Sequence, residues 1–193
     1  MSDDGTRRGQ SVPTGRLTLA VDPHRDHIQG ELRAPLTLVE YGDFQCPYCG
    51  AAYPIVKKIQ AEFGSSLRLV FRNFPLTQMH PQAEFAAELA EATVSRGKYW
   101  EVHDFIYEHQ ASLGTPEPFV RQVEKAIPID PANLGAEIDA HSHLSRIRED
   151  FMSGVRSGVN GTPTFYINGF RHDRSYDFTT LSRALREALA NSR

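Results

Sequence analysis

The 193-residue sequence predicts an α/β fold in which a helical block sits between two strand-bearing parts. Three observations carry this. A compact, β-branched apolar run at 35–41 (PLTLVEY) leads into a helix-period segment at 50–63. A second strand pattern at 67–74 (LRLVFRNF) is followed by roughly 80 residues whose apolar spacing is helical. A last strand, TFYIN, then introduces a closing helix.

Each element has a local reason. Residues 1–15 are rich in Ser, Asp, Gly, Arg and Thr and read as a mobile tail. The run 35–41 is bounded by Pro35 and Gly42 and is apolar enough for a strand buried on both faces. In the following helix Ile55, Val56, Ile59 and Phe63 share a stripe, and Gly64 ends it. In the second strand Leu67, Leu69 and Phe71 alternate with Arg68 and Arg72, which assigns the arginines to the polar face. The helical block begins with Phe85, Leu89 and Thr93 at helical spacing over 82–96. Tyr99, Val102, His103 and Ile106 follow over 98–110, then Phe119, Val120, Val123 and Ile127 over 117–127. Asp130 and Pro131 suit the cap and first turn of one long helix to about 157, with Leu144, Ile147, Phe151 and Val155 as its stripe. After TFYIN, GFRHDRSYD reads as a turn and short final strand. Leu181, Leu185 and Leu189 line the last helix, 178–190.

Composition excludes several function classes. The formal net charge is −3, and Lys and Arg are scattered, so there is no basic stripe to track a phosphate backbone, and nucleic acid is not an expected partner. No stretch approaches the roughly 18–20 apolar residues of a membrane helix. The first thirty residues offer only the short apolar run Leu17 to Val21, too brief for a secretory signal. The expectation is a cytoplasmic protein, or a periplasmic one if a leader has been removed.

The chemistry concentrates in EYGDFQCPYCG, residues 40–50, which holds both cysteines. A structural disulfide here would close a loop of two intervening residues and remove little chain entropy. Zinc needs about four ligands, and His141 and His143, two apart, point to different helix faces, so no metal is expected. A dithiol that cycles to a disulfide asks for a strand running into a helix N-terminus, and that is the setting the flanks supply. Cys46 falls at the helix start with Pro47 in the first turn, where unpaired N–H groups and the helix dipole favour a thiolate. Cys49, one turn further in, is expected to be more buried. Cys46 is thus the sulfur that attacks or is attacked, and Cys49 the one that resolves a mixed disulfide.

FQCPYC after a strand, with GTPTFYING much later, resembles the thioredoxin superfamily and, within it, the DsbA-like thiol-disulfide oxidoreductases. The resemblance runs from about Leu36 to the C-terminal helix. It implies a thioredoxin fold with an inserted all-helical subdomain, divided here as 16–78, an insertion at 79–158, and 159–193. It places Cys46 as nucleophile, Cys49 as resolving cysteine, and Pro47 and Tyr48 as the dipeptide that tunes the redox potential. Glu40 falls where the superfamily has a buried acid that moves the resolving thiol's proton. Pro54 matches a proline that bends the active-site helix. Thr162 and Pro163 match the threonine and cis-proline facing the cysteines, where an extended substrate can pair with backbone.

The implied activity is exchange with protein or peptide thiols and disulfides, together with a redox partner the sequence does not identify. It needs no cofactor beyond the Cys46–Cys49 pair. Two other readings stay open at this level: a glutathione-dependent enzyme, and a peptide-holding, chaperone-like module using the Thr162–Pro163 groove. Against the first, glutaredoxins carry paired glycines after the last strand where this chain has His172, Asp173 and Arg174. Tyr99, Trp100, His103, Tyr107 and His109 read as core packing that roofs the cysteine site rather than as a cofactor box.

Overall fold

The computed structural model describes residues 15–191. A five-stranded sheet organises the chain, in the order β1 (His27–Gly30), β3 (Leu67–Asn73), β2 (Leu36–Gly42), β4 (Thr164–Ile167), β5 (Phe170–Arg171). β2 and β3 are parallel, Leu36 opposite Leu67 through Gly42 opposite Asn73, and the other pairs are antiparallel. Helix α1 (Pro47–Phe63) makes the crossover between the parallel strands, and Gly64, at φ 50°, ends it. Pro54 lies inside α1. Helices α2 (Ala83–Ala92), α3 (Tyr99–Glu108), α4 (Pro116–Ala126), α5 (Leu134–Asp139) and α6 (Leu144–Ser157) lie between β3 and β4, and α7 (Phe178–Asn191) closes the chain. This is a thioredoxin-like fold with a helical insertion.

β2 is central and buried along its whole length, as its unbroken apolar run requires. One face of the sheet carries Leu36, Leu38, Leu67, Leu69, Phe165 and Ile167 against Val56 and Ile59 of α1 and Leu181 and Leu185 of α7. Towards the cysteine end the same face meets the insertion, where Phe44, Cys46, Cys49 and Phe71 pack with Val102, Ile106 and Tyr107. The opposite face carries Val39, Tyr41, Val70 and Tyr166 beneath Phe151 of α6. α6 comes this close because residue 154 is glycine: a Cβ there would stand 2.7 Å from the Phe74 ring and 3.0 Å from the Tyr41 ring.

Four expectations are corrected. Arg72 is not on a solvated face; it is fully buried, because the second face of the sheet is covered, and both oxygens of Asp26 accept from its guanidinium at 2.9 Å. The single helix from Asp130 to 157 is two helices, broken where His141 takes φ 51° and its Nδ1 meets Glu88 at 2.8 Å. Asp130 caps no long helix; its carboxylate accepts from Ala132 N two residues on, and Asn133, at φ 65°, precedes α5. Of the expected α6 stripe, Ile147 is buried and Phe151 packs over the sheet, but Val155 is exposed, and Asp150, Ser153, Gly154 and Ser157 share the buried side. β1 was not foreseen at all. Of the expected tail, 1–14 lies outside the described residues, and the Gly15 carbonyl accepts from Arg171 N.

Candidate active site

β2 delivers the chain to a short loop, Asp43–Gln45, and Cys46 stands at the N-cap of α1 with extended backbone (φ −66°, ψ 121°) and Pro47 as the first helical residue. No side chain caps the helix, so the first-turn N–H groups are directed at whatever lies beside Cys46 Sγ. Both cysteines are free thiols; Cys46 is 3% exposed and Cys49 0%, in the expected order.

Their acidities are driven apart. The Cys49 thiol hydrogen-bonds the Cys46 sulfur and, with the Thr162 side chain and the Cys49 and Tyr48 amides, lowers Cys46 to about 5 against the opposing effect of burial. Burial, donation to Cys46 and the charges of Glu40 and Cys46 push the Cys49 thiol well up. One sulfur is therefore a thiolate at neutral pH and the other keeps its proton.

The loop after α6 faces this pair. The Thr162–Pro163 peptide bond is cis, and Cys46 Sγ donates to the Thr162 carbonyl at 3.4 Å. Thr162 Oγ1 is buried and without a partner among the described residues, so it is free to donate when Cys46 is a thiolate. Pro163 borders a shallow hollow with Phe165, His172, Arg174 and Tyr176. Tyr48 is 66% exposed beside the cysteines. Glu40 is 4% exposed; burial first, then the Cys46 charge, raises its carboxyl to about 8. The structure thus brings Cys46, Cys49 and Thr162 into contact, sets Glu40 beneath them and leaves Tyr48 at the surface.

Tyr99, His103 and Tyr107 are buried, and His103 and Tyr107 lie edge-on or tilted against Phe44, with centroids 5.5 and 5.1 Å away. His109 does not join them: it is exposed, its ring stacked on Phe105.

Three residues that sequence reasoning passed over hold the loop. Asp43 is fully buried; its Oδ1 accepts from Gln45 N at 2.8 Å and Cys46 N at 3.1 Å, and its own N–H points to Cys49 Sγ at 3.5 Å. His80 faces the other oxygen of that carboxylate at 2.8 Å. Gln110, from the turn after α3, donates to the Phe44 and Cys46 carbonyls and lies so close to Gly50 that a Cβ there would be 2.4 Å from its Oε1. An aspartate just before a helix start is a readable signal. His80 and Gln110 carry none, being 37 and 64 residues from their partners.

Among the described residues no group of three or more His, Cys, Asp or Glu is placed to hold a metal ion. No described helix is long and apolar enough to cross a membrane.

The comparisons agree with this geometry. A family model described as Thioredoxin matches residues 23–187. BdbD from Bacillus subtilis superposes with TM-score 0.78 at 21% identity, covering 92% of this chain and 97% of its own. Wolbachia pipientis alpha-DsbA1 does so at 0.77 and 17%, covering 91% and 96%. A periplasmic thioredoxin-like protein from Salmonella enterica gives 0.71 and 21%, covering 86% and 91%. In sequence, a Salinispora arenicola protein named Na(+)/H(+) antiporter NhaA 1 is 42% identical over 177 residues, 92% of this chain and 27% of that protein. The chain thus spans about a quarter of the length of the curated relatives it matches. With the family model covering most of the sequence, the chain belongs to the thioredoxin family, and its fold is like that of the BdbD and alpha-DsbA1 structures.

Proposed function

We propose that the protein is a thiol-disulfide oxidoreductase that donates its Cys46–Cys49 disulfide to protein or peptide thiols. The observation that carries the reading is the split between the two sulfurs: Cys46 at the helix start, lowered to about 5, and Cys49 behind it with its acidity suppressed. A substrate thiolate attacks Cys46 Sγ, the Cys46–Cys49 bond breaks, and the electron pair leaves on Cys49, which takes up a proton. A second substrate thiolate then attacks the substrate sulfur of the mixed disulfide and expels the Cys46 thiolate. Because Cys46 leaves as a stabilised thiolate, the reduced enzyme is favoured and the disulfide is a ready oxidant. Glu40, raised to about 8, holds or releases a proton near the resolving thiol at physiological pH. The Thr162 backbone offers an edge for an extended substrate. The exchange uses only the two sulfurs, and a second redox protein must reoxidise them.

The expectation of a cytoplasmic protein finds no support in the relatives. A disulfide donor belongs in an oxidising compartment, and the Salmonella neighbour is described as periplasmic. We therefore place this activity outside the cytoplasm. From the antiporter relatives we carry over no transport, because the portion matched is this thioredoxin unit.

Oxidation of a dithiol peptide tests the reading. Cys46→Ser should abolish turnover, and Cys49→Ser should accumulate a mixed disulfide visible on a non-reducing gel. Undiminished turnover in Cys46→Ser would overturn the mechanism. A reduction potential of about −120 mV supports a donor, and one of about −270 mV a reductase.

A further inference from the structure

His80 lies outside the cysteine motif, in the loop between β3 and α2, yet it ends on the residue that touches both cysteines. The Asp43 side chain is 0% exposed and makes four contacts. Oδ1 accepts from Gln45 N (2.8 Å) and Cys46 N (3.1 Å); Oδ2 accepts from Leu76 N (2.8 Å) and faces His80 Nδ1 (2.8 Å). A carboxylate only accepts, so Nδ1 carries the hydrogen of that last contact. The same residue's N–H reaches Cys49 Sγ. Asp43 is therefore a buried anion bolted to the loop that carries the nucleophile, and His80 is its only side-chain donor among the described residues.

A buried carboxylate deprived of one donor is a stronger local negative charge. Next to it the redox cycle must create a second negative charge, the Cys46 thiolate, and like charges at short range oppose each other. We propose that His80 is a positioning residue of the redox pair: by donating to Asp43 it fixes the loop before Cys46 and offsets the Asp43 charge, so that the reduced enzyme is stabilised. The consequence has a definite sign. Without the His80 donor the thiolate costs more, the disulfide is relatively more stable, and the protein becomes a weaker oxidant.

The proposal rests on the exchange activity argued above, and one set of measurements separates the two. The intact protein and the variants His80→Ala, His80→Asn and His80→Gln are equilibrated with reduced and oxidised glutathione, and thiolate is followed by its ultraviolet absorbance. Asn places an amide N–H where Nδ1 stands; Gln keeps bulk and polarity but sends its amide further out. The expected result is an equilibrium constant shifted at least tenfold towards the disulfide in the Ala and Gln variants, about 30 mV. The Asn variant should stay within about threefold of the parent, with the thiolate titrating at higher pH only in Ala and Gln. A purely structural histidine would lower thermal stability and leave these readouts alone. Folded Ala and Gln variants within twofold of the parent overturn the proposal. Should Ala not fold, the contrast between Gln and Asn decides alone. A parent that does not exchange with glutathione overturns the functional reading as well, whereas an active parent with insensitive variants overturns only the role of His80.

Discussion

Glu40 and Tyr41 are consecutive on β2, and their side chains enter two different interiors. Glu40 sits over Phe71 in the face that meets the insertion, without an ion-pair partner among the described residues, and burial, then the Cys46 charge, raises its carboxyl to about 8. Tyr41 points to the α6 face, where its hydroxyl meets Ser153 Oγ at 2.8 Å and accepts from Arg72 at 3.0 Å. Two acids are buried there, Asp26 and Asp150 of α6. Burial also works to raise Asp26, but the bidentate Arg72 contact, an Asp22 amide and Arg25 bring it below its ordinary value. Two carboxyls at similar depth are thus shifted in opposite directions, Glu40 up and Asp26 down. What differs is the balance of burial against partners: Arg72 outweighs burial at Asp26, the Cys46 charge adds to burial at Glu40, and at the still more deeply buried Asp150 burial prevails over Arg146 and Arg25.

Breaking the Asp26–Arg72 pair should have the largest effect. Arg72→Met leaves Asp26 buried without its main counter-charge, while the Leu19 and Ala20 carbonyls lose their donor. The expected loss is about 3–5 kcal/mol of unfolding free energy in urea, with the glutathione equilibrium of the cysteines unchanged. A potential that moved in step with stability would mean that the two faces act as one electrostatic unit.

The carboxyl shifted in the opposite sense comes next. Glu40 has a folded value of about 8 against an ordinary 4.5, so between those limits the folded protein holds a proton that the unfolded chain has released. Its contribution to stability is therefore intact below about pH 4.5, declines as pH rises, and is gone above about pH 8. Cys46 runs the other way: lowered to about 5, it adds stability as pH rises above that value. Comparing Glu40→Gln with the parent, both reduced, cancels the cysteine. The variant should match the parent near pH 4 and exceed it by roughly 4–5 kcal/mol at pH 8 and above. Equal stabilities at both pH values would show that Glu40 has found a partner in solution.

Legibility followed the range of the interaction. The strand, Cys46 at the helix start and Pro47 were readable because propensity, period and capping act within a few residues, and PLTLVEY and PYCGAAYPIVKKIQAEF say so locally. Arg72 was misplaced because alternation reports which side chains share a face, not whether something later covers that face. The covering residues, Asp26 and α6, come from 46 residues earlier and more than 70 later. The break at His141 had no proline or glycine to announce it; a contact with Glu88, 53 residues away, accompanies it. Glu40, Thr162 and Pro163 were reached through resemblance rather than physics, since nothing local to a lone glutamate on a strand says that no cation will meet it.

The smallest effect gives the sharpest comparison, because one substitution can be made on both faces. Tyr41→Phe removes a hydroxyl bonded to Ser153 and Arg72, and should cost about 1–3 kcal/mol by leaving a buried guanidinium N–H unpaired. Tyr107→Phe removes a buried hydroxyl that has no partner among the described residues and lies 3.1 Å from where a Cβ on Gly42 would stand. Burial and the charges of Cys49 and Glu40 already hold that phenol well above its usual range, so losing the oxygen should change stability by less than about 0.5 kcal/mol. Urea titrations of the two variants decide between two views of the redox face. A near-zero cost at Tyr107 means a face kept apolar around Glu40, with the carboxyl raised by burial and the Cys46 charge and no hydroxyl engaged beside it. A cost equal to that at Tyr41 means that the Tyr107 hydroxyl is hydrogen-bonded in solution, which puts a second polar group beside Cys49 and Glu40.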